Sequence, residues 1–205
     1  MSPEGDTGPG KRIALFGGTF DPPHFGHLVV AQDVVETLEL DALYFVPAGT
    51  PPHKRDEPMS SARLRLEMVR AAVRDDLRLH ASAIEVRREG PSYTVDTLRE
   101  LEGRPGSGRL FFVMGVDQFA ELHTWKEPAE VARLSRLVVI TREGDDPEGV
   151  DPGVDVDYDF VPVTRIDISS TRIRERVREG RPIRYLVPEA VRRIIERERL
   201  YLEPC

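Results

Sequence analysis

The chain has 205 residues, 40% of them hydrophobic, and a formal net charge of −7 at pH 7. This length suits one domain with its own core, the lack of any run of about 18 apolar residues argues against a membrane span, and the acidic balance argues against a nucleic-acid surface. Cys205 is the only cysteine. A single cysteine excludes an internal disulfide and favours a reducing, cytoplasmic compartment.

The coarse organisation is a leader followed by alternating strands and helices. The N-terminus is polar and rich in glycine and proline, without the apolar segment of a signal peptide, so we expect a flexible leader at 1–10 and a folded domain at 11–205. Apolar runs rich in β-branched and aromatic residues predict strands at 11–16, 42–46, 110–114 and 136–140. Helical patterns occupy 26–39, 60–74, 92–102 and 129–134. This alternation predicts an α/β fold, a Rossmann-like doubly wound parallel sheet in a single domain.

A segment rich in glycine and histidine, Gly17-Gly18-Thr19-Phe20-Asp21-Pro22-Pro23-His24-Phe25-Gly26-His27, joins the first predicted strand to the first predicted helix. A strand, a glycine turn and a helix in this order bring backbone N–H groups to one point, as phosphate sites require. We expect Gly17 and Gly18 to allow positive φ and close backbone approach. His24 and His27 would share the first helical turn and face the same anion. A zinc site would need further ligands, so a nucleotide phosphate is the better match.

A second segment, Ile168-Ser169-Ser170-Thr171-Arg172-Ile173-Arg174, opens a helix predicted to run to about Arg178. A serine or threonine here suits an ordinary N-cap. Two arginines in the first turn conflict with that reading, because the helix dipole disfavours each cation there by roughly 0.3–1 kcal/mol. An anionic ligand would remove the conflict. The segment therefore predicts a second phosphate-binding element.

Together these segments resemble the H-x-G-H nucleotidyltransferase superfamily, and in particular the bacterial nicotinate-nucleotide adenylyltransferases. The resemblance extends from Lys11 to about Leu202. Its most specific parts are the inner segments Val46-Pro47-Ala48-Gly49-Thr50-Pro51-Pro52-His53-Lys54, Pro91-Ser92-Tyr93-Thr94-Val95-Asp96-Thr97-Leu98, Phe112-Val113-Met114-Gly115-Val116-Asp117 and Thr124-Trp125. One departure is Thr141-Arg142-Glu143-Gly144, where the family often has Ser-Arg-Pro-Gly.

The resemblance implies transfer of the adenylyl group of ATP to the 5′-phosphate of nicotinate mononucleotide in NAD biosynthesis. It implies three catalytic residues, with His27 at the α-phosphate, His24 beside it and Arg174 at the β- and γ-phosphates. The other residues implied to bind ATP are Gly17, Gly18, Thr19, Phe20, Gly26, Gly115, Asp117, Ser169, Ser170 and Thr171. Mg²⁺ would arrive with ATP rather than in a protein cage. Asp21 is left with two interpretations, an Asx turn or a metal ligand.

The resemblance also implies an acceptor site. Trp125 would stack on the pyridinium ring, which suits an indole face. Thr94, next to Tyr93, would offer its amide and hydroxyl to the nicotinate carboxylate. His53 and Lys54, in a proline-braced loop, would close over the acceptor phosphate.

Several other functions share these phosphate segments. They are a dual-specificity enzyme for nicotinamide and nicotinate mononucleotides, a pantetheine-phosphate adenylyltransferase, a cytidylyltransferase, a class I aminoacyl-tRNA synthetase and a non-catalytic nucleotide sensor. The inner segments favour a pyridine nucleotide, and the chain is short and acidic for a typical synthetase. A sensor is disfavoured because His24, His27 and Arg174 are all present.

Overall fold

The fold was analysed in a computed structural model, which describes residues 10–51, 59–102, 109–141 and 149–202. The strands are β1 Arg12–Gly18, β2 Ala42–Pro47, β3 Leu79–Ala81, β4 Arg109–Gly115, β5 Arg136–Thr141 and β6 Tyr158–Pro162. The helices are α1 Phe25–Thr37, α2 Ala62–Val73, α3 Ile84–Arg87, α4 Thr94–Glu102, α5 Val116–Ala120, α6 Pro128–Leu134, α7 Ser170–Arg178 and α8 Glu189–Arg197, with a 3-10 turn at Leu122–Thr124. The leader proposed at 1–10 lies, except for Gly10, outside these described residues.

The six strands form one parallel sheet in the order β3-β2-β1-β4-β5-β6. The order reverses between β1 and β4, where Leu15 lies beside Phe112. In open sheets of this kind, ligands bind beyond the carboxyl ends of the strands at such a reversal. The predicted α/β class and parallel sheet are confirmed.

Apolar side chains cover both faces of the sheet. Along β1, Ala14 and Phe16 belong to one core cluster, while Ile13 and Leu15 belong to the other. This split follows from the alternation of side chains along a strand. A third cluster packs α2 against α7 and α8 through Met68, Ile173 and several other residues, which brings α7 close to the start of α1. Within the described part of the chain, no helix has the length and apolar character needed to cross a bilayer.

The sequence patterns missed β3, β6, α3 and α8. Strand β3 has three residues, too few to show a period, and α3 has four. Helix α8 does carry a signal, because Val191, Ile194 and Ile195 are buried at helical spacing. Strands β1, β2, β4 and β5 also continue one or two residues beyond their predicted ends.

Candidate active site

The glycine pair lies at the end of β1 rather than in a turn after it. Gly17 pairs with Val46 and Gly18 with Pro47 of β2. The expectation of positive φ at these glycines was wrong, since the positive value belongs to Phe20, at 52°. A Cβ on Gly18 would lie 2.8 Å from Cζ of Phe20. Glycine is therefore needed to make room for the buried Phe20 ring.

His24 and His27 meet at the start of α1. His24 is the N-cap and is buried, and its backbone N–H donates to Nδ1 of His27 at 3.2 Å. The two rings stack with centroids 3.7 Å apart. A Cβ on Gly26 would lie 3.1 Å from two ring atoms of His24. Because Nδ1 of His27 accepts a hydrogen bond, the neutral ring carries its proton on Nε2.

The start of α7 docks directly onto the glycine–histidine segment. Ser170 Oγ donates to the carbonyl of Pro22 at 2.8 Å, and Arg174 Nη1 donates to the carbonyl of Asp21 at 2.9 Å. Ser169 is the N-cap and accepts from the N–H of Arg172 at 3.2 Å. Arg174 is the fifth residue of α7, so it lies in the second turn and not in the first as expected. The tertiary structure thus brings the two predicted phosphate segments together.

Asp21 is held by distant donors. Its Oδ2 accepts from the N–H of Ser60 at 3.0 Å and its Oδ1 accepts from the hydroxyl of Tyr201 at 2.6 Å. An Asx turn would need an N–H at Pro23, which proline lacks, so that interpretation was wrong. Among the described residues, no three His, Cys, Asp or Glu side chains are grouped to hold a metal ion.

A cavity of about 350 Å³ opens at the carboxyl ends of β1 and β2. Its wall includes Leu15 and 17–19, Val46, Ala48 and Pro51, Glu85, 92–94 with Thr97 and Leu98, Phe112, and Gln118, Glu121 and 124–126. The structure therefore unites the glycine pair with Tyr93, Thr94 and Trp125. Of the residues that the structure describes, His24, His27 and Arg174 are not part of this wall. The ring of His27 packs instead against the ring of Phe20, with centroids 5.1 Å apart.

Two aromatic side chains, Tyr93 and Trp125, line one side of the cavity. Trp125 follows the 3-10 turn, half-buried, with its ring edge-on to Phe112 at 5.9 Å. Lys126 Nζ lies 4.9 Å from the ring centroid of Tyr93 and pairs with Asp96 at 3.0 Å. Thr94 is the first residue of α4. The predicted acceptor residues at 53 and 54 lie outside the described residues.

Asp117 and Gly115 sit at the end of β4. Gly115 is the N-cap of α5, and Asp117 is exposed in the first turn of that helix. The N–H of Gly115 donates to Oε1 of Gln118 at 3.2 Å. An acidic side chain in a first helical turn is favourable, so Asp117 needs no ligand to be stable there.

Sequence reasoning missed Glu85, a buried acid in the cavity wall. Its Oε1 accepts from Thr97 Oγ1 at 2.7 Å, and Arg88 donates to the same hydroxyl at 2.8 Å. Burial raises the pKa of Glu85, against the opposing effect of hydrogen bonds from Thr97 and Ser92. The only local signal was one acid between Ile84 and Val86.

Known proteins resemble this chain over nearly all of its length. Residues 15–176 match the cytidylyltransferase-like family. A relative from Desulfitobacterium hafniense is 44% identical over 200 residues, covering 94% of this chain and 97% of its own. A relative from Thermus thermophilus is 45% identical over 192 residues, covering 93% of this chain and 99% of its own. Both are named "Probable nicotinate-nucleotide adenylyltransferase". The chain belongs to the nicotinate-nucleotide adenylyltransferase family.

Solved structures of nicotinate-nucleotide adenylyltransferase type agree with the fold. The Plasmodium falciparum nicotinic acid mononucleotide adenylyltransferase complexed with NaAD aligns with a TM-score of 0.77 at 16% identity, covering 93% of this chain and 97% of that one. The same enzyme complexed with APC aligns with a TM-score of 0.74. At this identity the likeness establishes the fold alone, whereas the sequence relatives establish the family.

Proposed function

We propose that this chain transfers the adenylyl group of ATP to the 5′-phosphate of nicotinate mononucleotide, forming nicotinate adenine dinucleotide and pyrophosphate. The observation that carries the proposal is the single cavity that joins the glycine pair to Tyr93, Thr94 and Trp125. In a member of the nicotinate-nucleotide adenylyltransferase family, such a cavity suits the acceptor nucleotide, next to the glycine pair whose segment leads on to His24 and His27.

The reaction needs alignment more than acid–base chemistry. An oxygen of the acceptor phosphate bonds to the α-phosphorus of ATP, and the bond from that phosphorus to the pyrophosphate oxygen breaks. A phosphate monoester is already anionic at neutral pH, so no general base is required. The protein lowers the barrier by fixing the approach of the two phosphates and by neutralising the charge that grows on the leaving group.

His27 is assigned to the α-phosphate. Its Nδ1 accepts from the backbone N–H of His24, so Nε2 is the proton-bearing atom of the neutral ring. A donor fixed in this way needs no reorganisation during the reaction. His24 supports the ring of His27 by stacking and is assigned a contact with the same phosphate.

The start of α7 is assigned to the β- and γ-phosphates. Arg174 is held by the carbonyl of Asp21, which orients its guanidinium near the glycine–histidine segment. Ser169 and Thr171 add hydroxyls, and Ser170 adds its backbone N–H at the helix N-terminus, because its own hydroxyl proton is donated to Pro22. Gly115 and Asp117 are assigned to the sugar of ATP.

Mg²⁺ fits this site as a partner of the triphosphate. It keeps several of its waters and takes few carboxylates, and the described residues offer no cluster of three acidic, cysteine or histidine ligands. When bound with ATP, the ion neutralises negative charge on the phosphates. The reducing cytoplasm favoured by the single cysteine is the proposed compartment.

The acceptor is assigned to the aromatic side of the cavity. Trp125 supplies a stacking surface for the pyridinium ring, and Tyr93 stands beside Thr94 in the same wall. Thr94 supplies an amide and a hydroxyl to the carboxylate. His53 and Lys54 are assigned to the acceptor phosphate.

Pyrophosphate release tests the proposal. The protein is incubated with Mg²⁺ and ATP and with nicotinate mononucleotide, nicotinamide mononucleotide or phosphopantetheine as acceptor, and CTP replaces ATP in a parallel series. We expect rapid release only with ATP and a pyridine mononucleotide, and fastest with the nicotinate form. Preference for phosphopantetheine or CTP would contradict the proposal, and ATP binding without release would indicate a nucleotide sensor.

A further inference from the structure

Among the described residues, Arg65 is the largest side chain that the fold buries completely, with 1% of its surface exposed. It lies in the first turns of α2. Its guanidinium donates through all three nitrogens to main-chain carbonyls, with Nε on Ser60 at 3.0 Å, Nη1 on Thr19 at 2.9 Å and Nη2 on Gly49 at 3.1 Å. These carbonyls come from three separate segments, so one planar group joins them.

Two of these segments form adjoining parts of the cavity wall, at the ends of the paired strands β1 and β2. Thr19 continues the glycine pair, and Gly49 lies in the loop that carries the wall residue Ala48. The same loop is fixed from its other side, because the N–H of Gly49 donates to Ser92 Oγ at 2.8 Å. A Cβ on Gly49 would lie 2.3 Å from the carbonyl oxygen of Glu85. The loop is therefore packed closely against Glu85 and Ser92 on one side, and Arg65 binds its Gly49 carbonyl on the other.

We propose that Arg65 is a positioning residue that sets the distance between the nucleotide side of the cavity at Thr19 and the acceptor loop at Gly49. The inference rests on the proposed function, because it assigns those two sides to the two substrates. Arg65 touches neither substrate. It controls how closely the acceptor phosphate approaches the α-phosphorus, and a misplacement of about 1 Å at that point can cost about 100-fold in rate.

Lysine cannot replace this group. A guanidinium presents its donors in a fixed planar fork, whereas an ammonium is a single point charge. Arg65→Lys keeps a positive charge within reach of the Asp21 carboxylate, which interacts electrostatically with Arg65, but it loses the simultaneous bonds to Thr19 and Gly49. We expect the two substrate sites to form separately while the spacing between them loosens.

Kinetics of Arg65→Lys test the proposal. We expect kcat to fall roughly 10- to 100-fold, with the KM values for ATP and acceptor each changed by less than about threefold. Affinity for the dinucleotide product, which spans both sides, should fall more than affinity for either mononucleotide alone. Arg70→Lys, on the exposed side of the same helix, should behave as wild type.

Val69→Ala separates positioning from plain stability. Val69 is fully buried in α2, so its truncation lowers the melting temperature without changing the two carbonyl contacts. At a temperature where both variants are fully folded, we expect Val69→Ala to keep its kcat. Equal kcat values for Val69→Ala and Arg65→Lys would overturn the proposal.

Hydrogen exchange gives a readout that does not need turnover. The N–H of Ala48 donates to the carbonyl of Gly18 at 2.9 Å and so reports the joint between the two sides. After correction for the change in global stability, the Ala48 amide should exchange about tenfold faster in Arg65→Lys than in the wild type. In Val69→Ala its corrected exchange rate should be the same as in the wild type. Failure of the wild type to form a dinucleotide would contradict the proposed function. Separately, an unchanged exchange rate of the Ala48 amide in Arg65→Lys would contradict the positioning role of Arg65.

Gly49→Ala is a second variant in case Arg65→Lys does not fold. Its methyl group would collide with the carbonyl of Glu85 and displace the acceptor loop while leaving Arg65 in place. We expect the same loss of kcat with nearly constant KM values. A fully active Gly49→Ala would contradict the idea that the position of this loop sets the rate.

Discussion

The hydroxyl of Tyr201 donates to Oδ1 of Asp21 at 2.6 Å, across 180 residues of chain. Tyr201→Phe would leave this buried carboxylate oxygen without its donor, and we expect a loss of roughly 1–3 kcal/mol in the free energy of unfolding. Urea denaturation is the measurement. Tyr185→Phe is the control, because that ring is 84% exposed. Equal stability of the two variants would show that the bond contributes nothing.

The same pair predicts a pH dependence. Burial raises the pKa of Tyr201, and Asp21 raises it further. In the unfolded chain the phenol ionises near about pH 10. Just above this pH, the unfolded chain loses the phenol proton while the folded protein keeps it. The contribution of Tyr201 to the free energy of unfolding is therefore complete below about pH 10 and falls as the pH rises above that value. The stability difference between wild type and Tyr201→Phe should therefore narrow above pH 10, and a constant difference would contradict the raised pKa.

The second prediction concerns His27. His27→Ala should lower kcat by roughly 10²–10³-fold, the effect of removing one fixed transition-state donor. His27→Asn should be equally slow but more stable than His27→Ala, because an amide oxygen can still accept from the N–H of His24. Steady-state kinetics and thermal melting check both effects, with His80→Ala, at the sheet edge in β3, as control. A near-normal kcat in either His27 variant would remove the catalytic assignment.

The third prediction concerns Arg174. Arg174→Ala should raise the KM for ATP, and Arg174→Lys should recover only part of the loss. The helix dipole alone predicts that Arg174→Ala stabilises the free protein, but the hydrogen bond from Arg174 to Asp21 reverses that expectation. We expect a loss of about 0.5–1.5 kcal/mol without nucleotide. Arg172→Ala, at an exposed residue in the first turn, should be neutral or slightly stabilising. Stabilisation by Arg174→Ala would mean that the dipole dominates.

The fourth prediction concerns the choice of pyridine nucleotide. If Thr94 presents its amide and hydroxyl to a carboxylate over the face of Trp125, nicotinamide mononucleotide is rejected because its amide hydrogens would face donors. Thr94→Val should weaken the preference only in part, since the backbone amide remains. Trp125→Ala should lower kcat/KM for both acceptors by similar factors, because it removes the stacking surface that they share. Values of kcat/KM for the two acceptors, measured in the wild type and in both variants, test this prediction. Equal use of both acceptors by the wild type would indicate dual specificity.

Local sequence patterns predicted the parts of the fold that depend on neighbouring residues. Strands β1, β2, β4 and β5 were found because buried strands are short apolar runs rich in β-branched residues. The helix beginning at Ser170 was found because helix starts favour particular residues at fixed spacing. The glycine–histidine segment was found from its residue types and spacing, although its glycines lie in β1 rather than in a turn. The parallel sheet followed from the alternation of these elements.

Contacts between distant segments were decided only by the tertiary structure. Arg65 is one basic residue among several in an amphipathic helix, and nothing in its neighbours indicates bonds to carbonyls 16 and 46 residues away. The partner of Asp21 lies 180 residues on, and the anchor of Arg174 lies 153 residues back. Sequence spacing carries information over a few residues of helix or strand, whereas these bonds depend on how the whole sheet and its helices pack. The sequence therefore predicted which residues would carry the chemistry, and the packing determined what holds them in place.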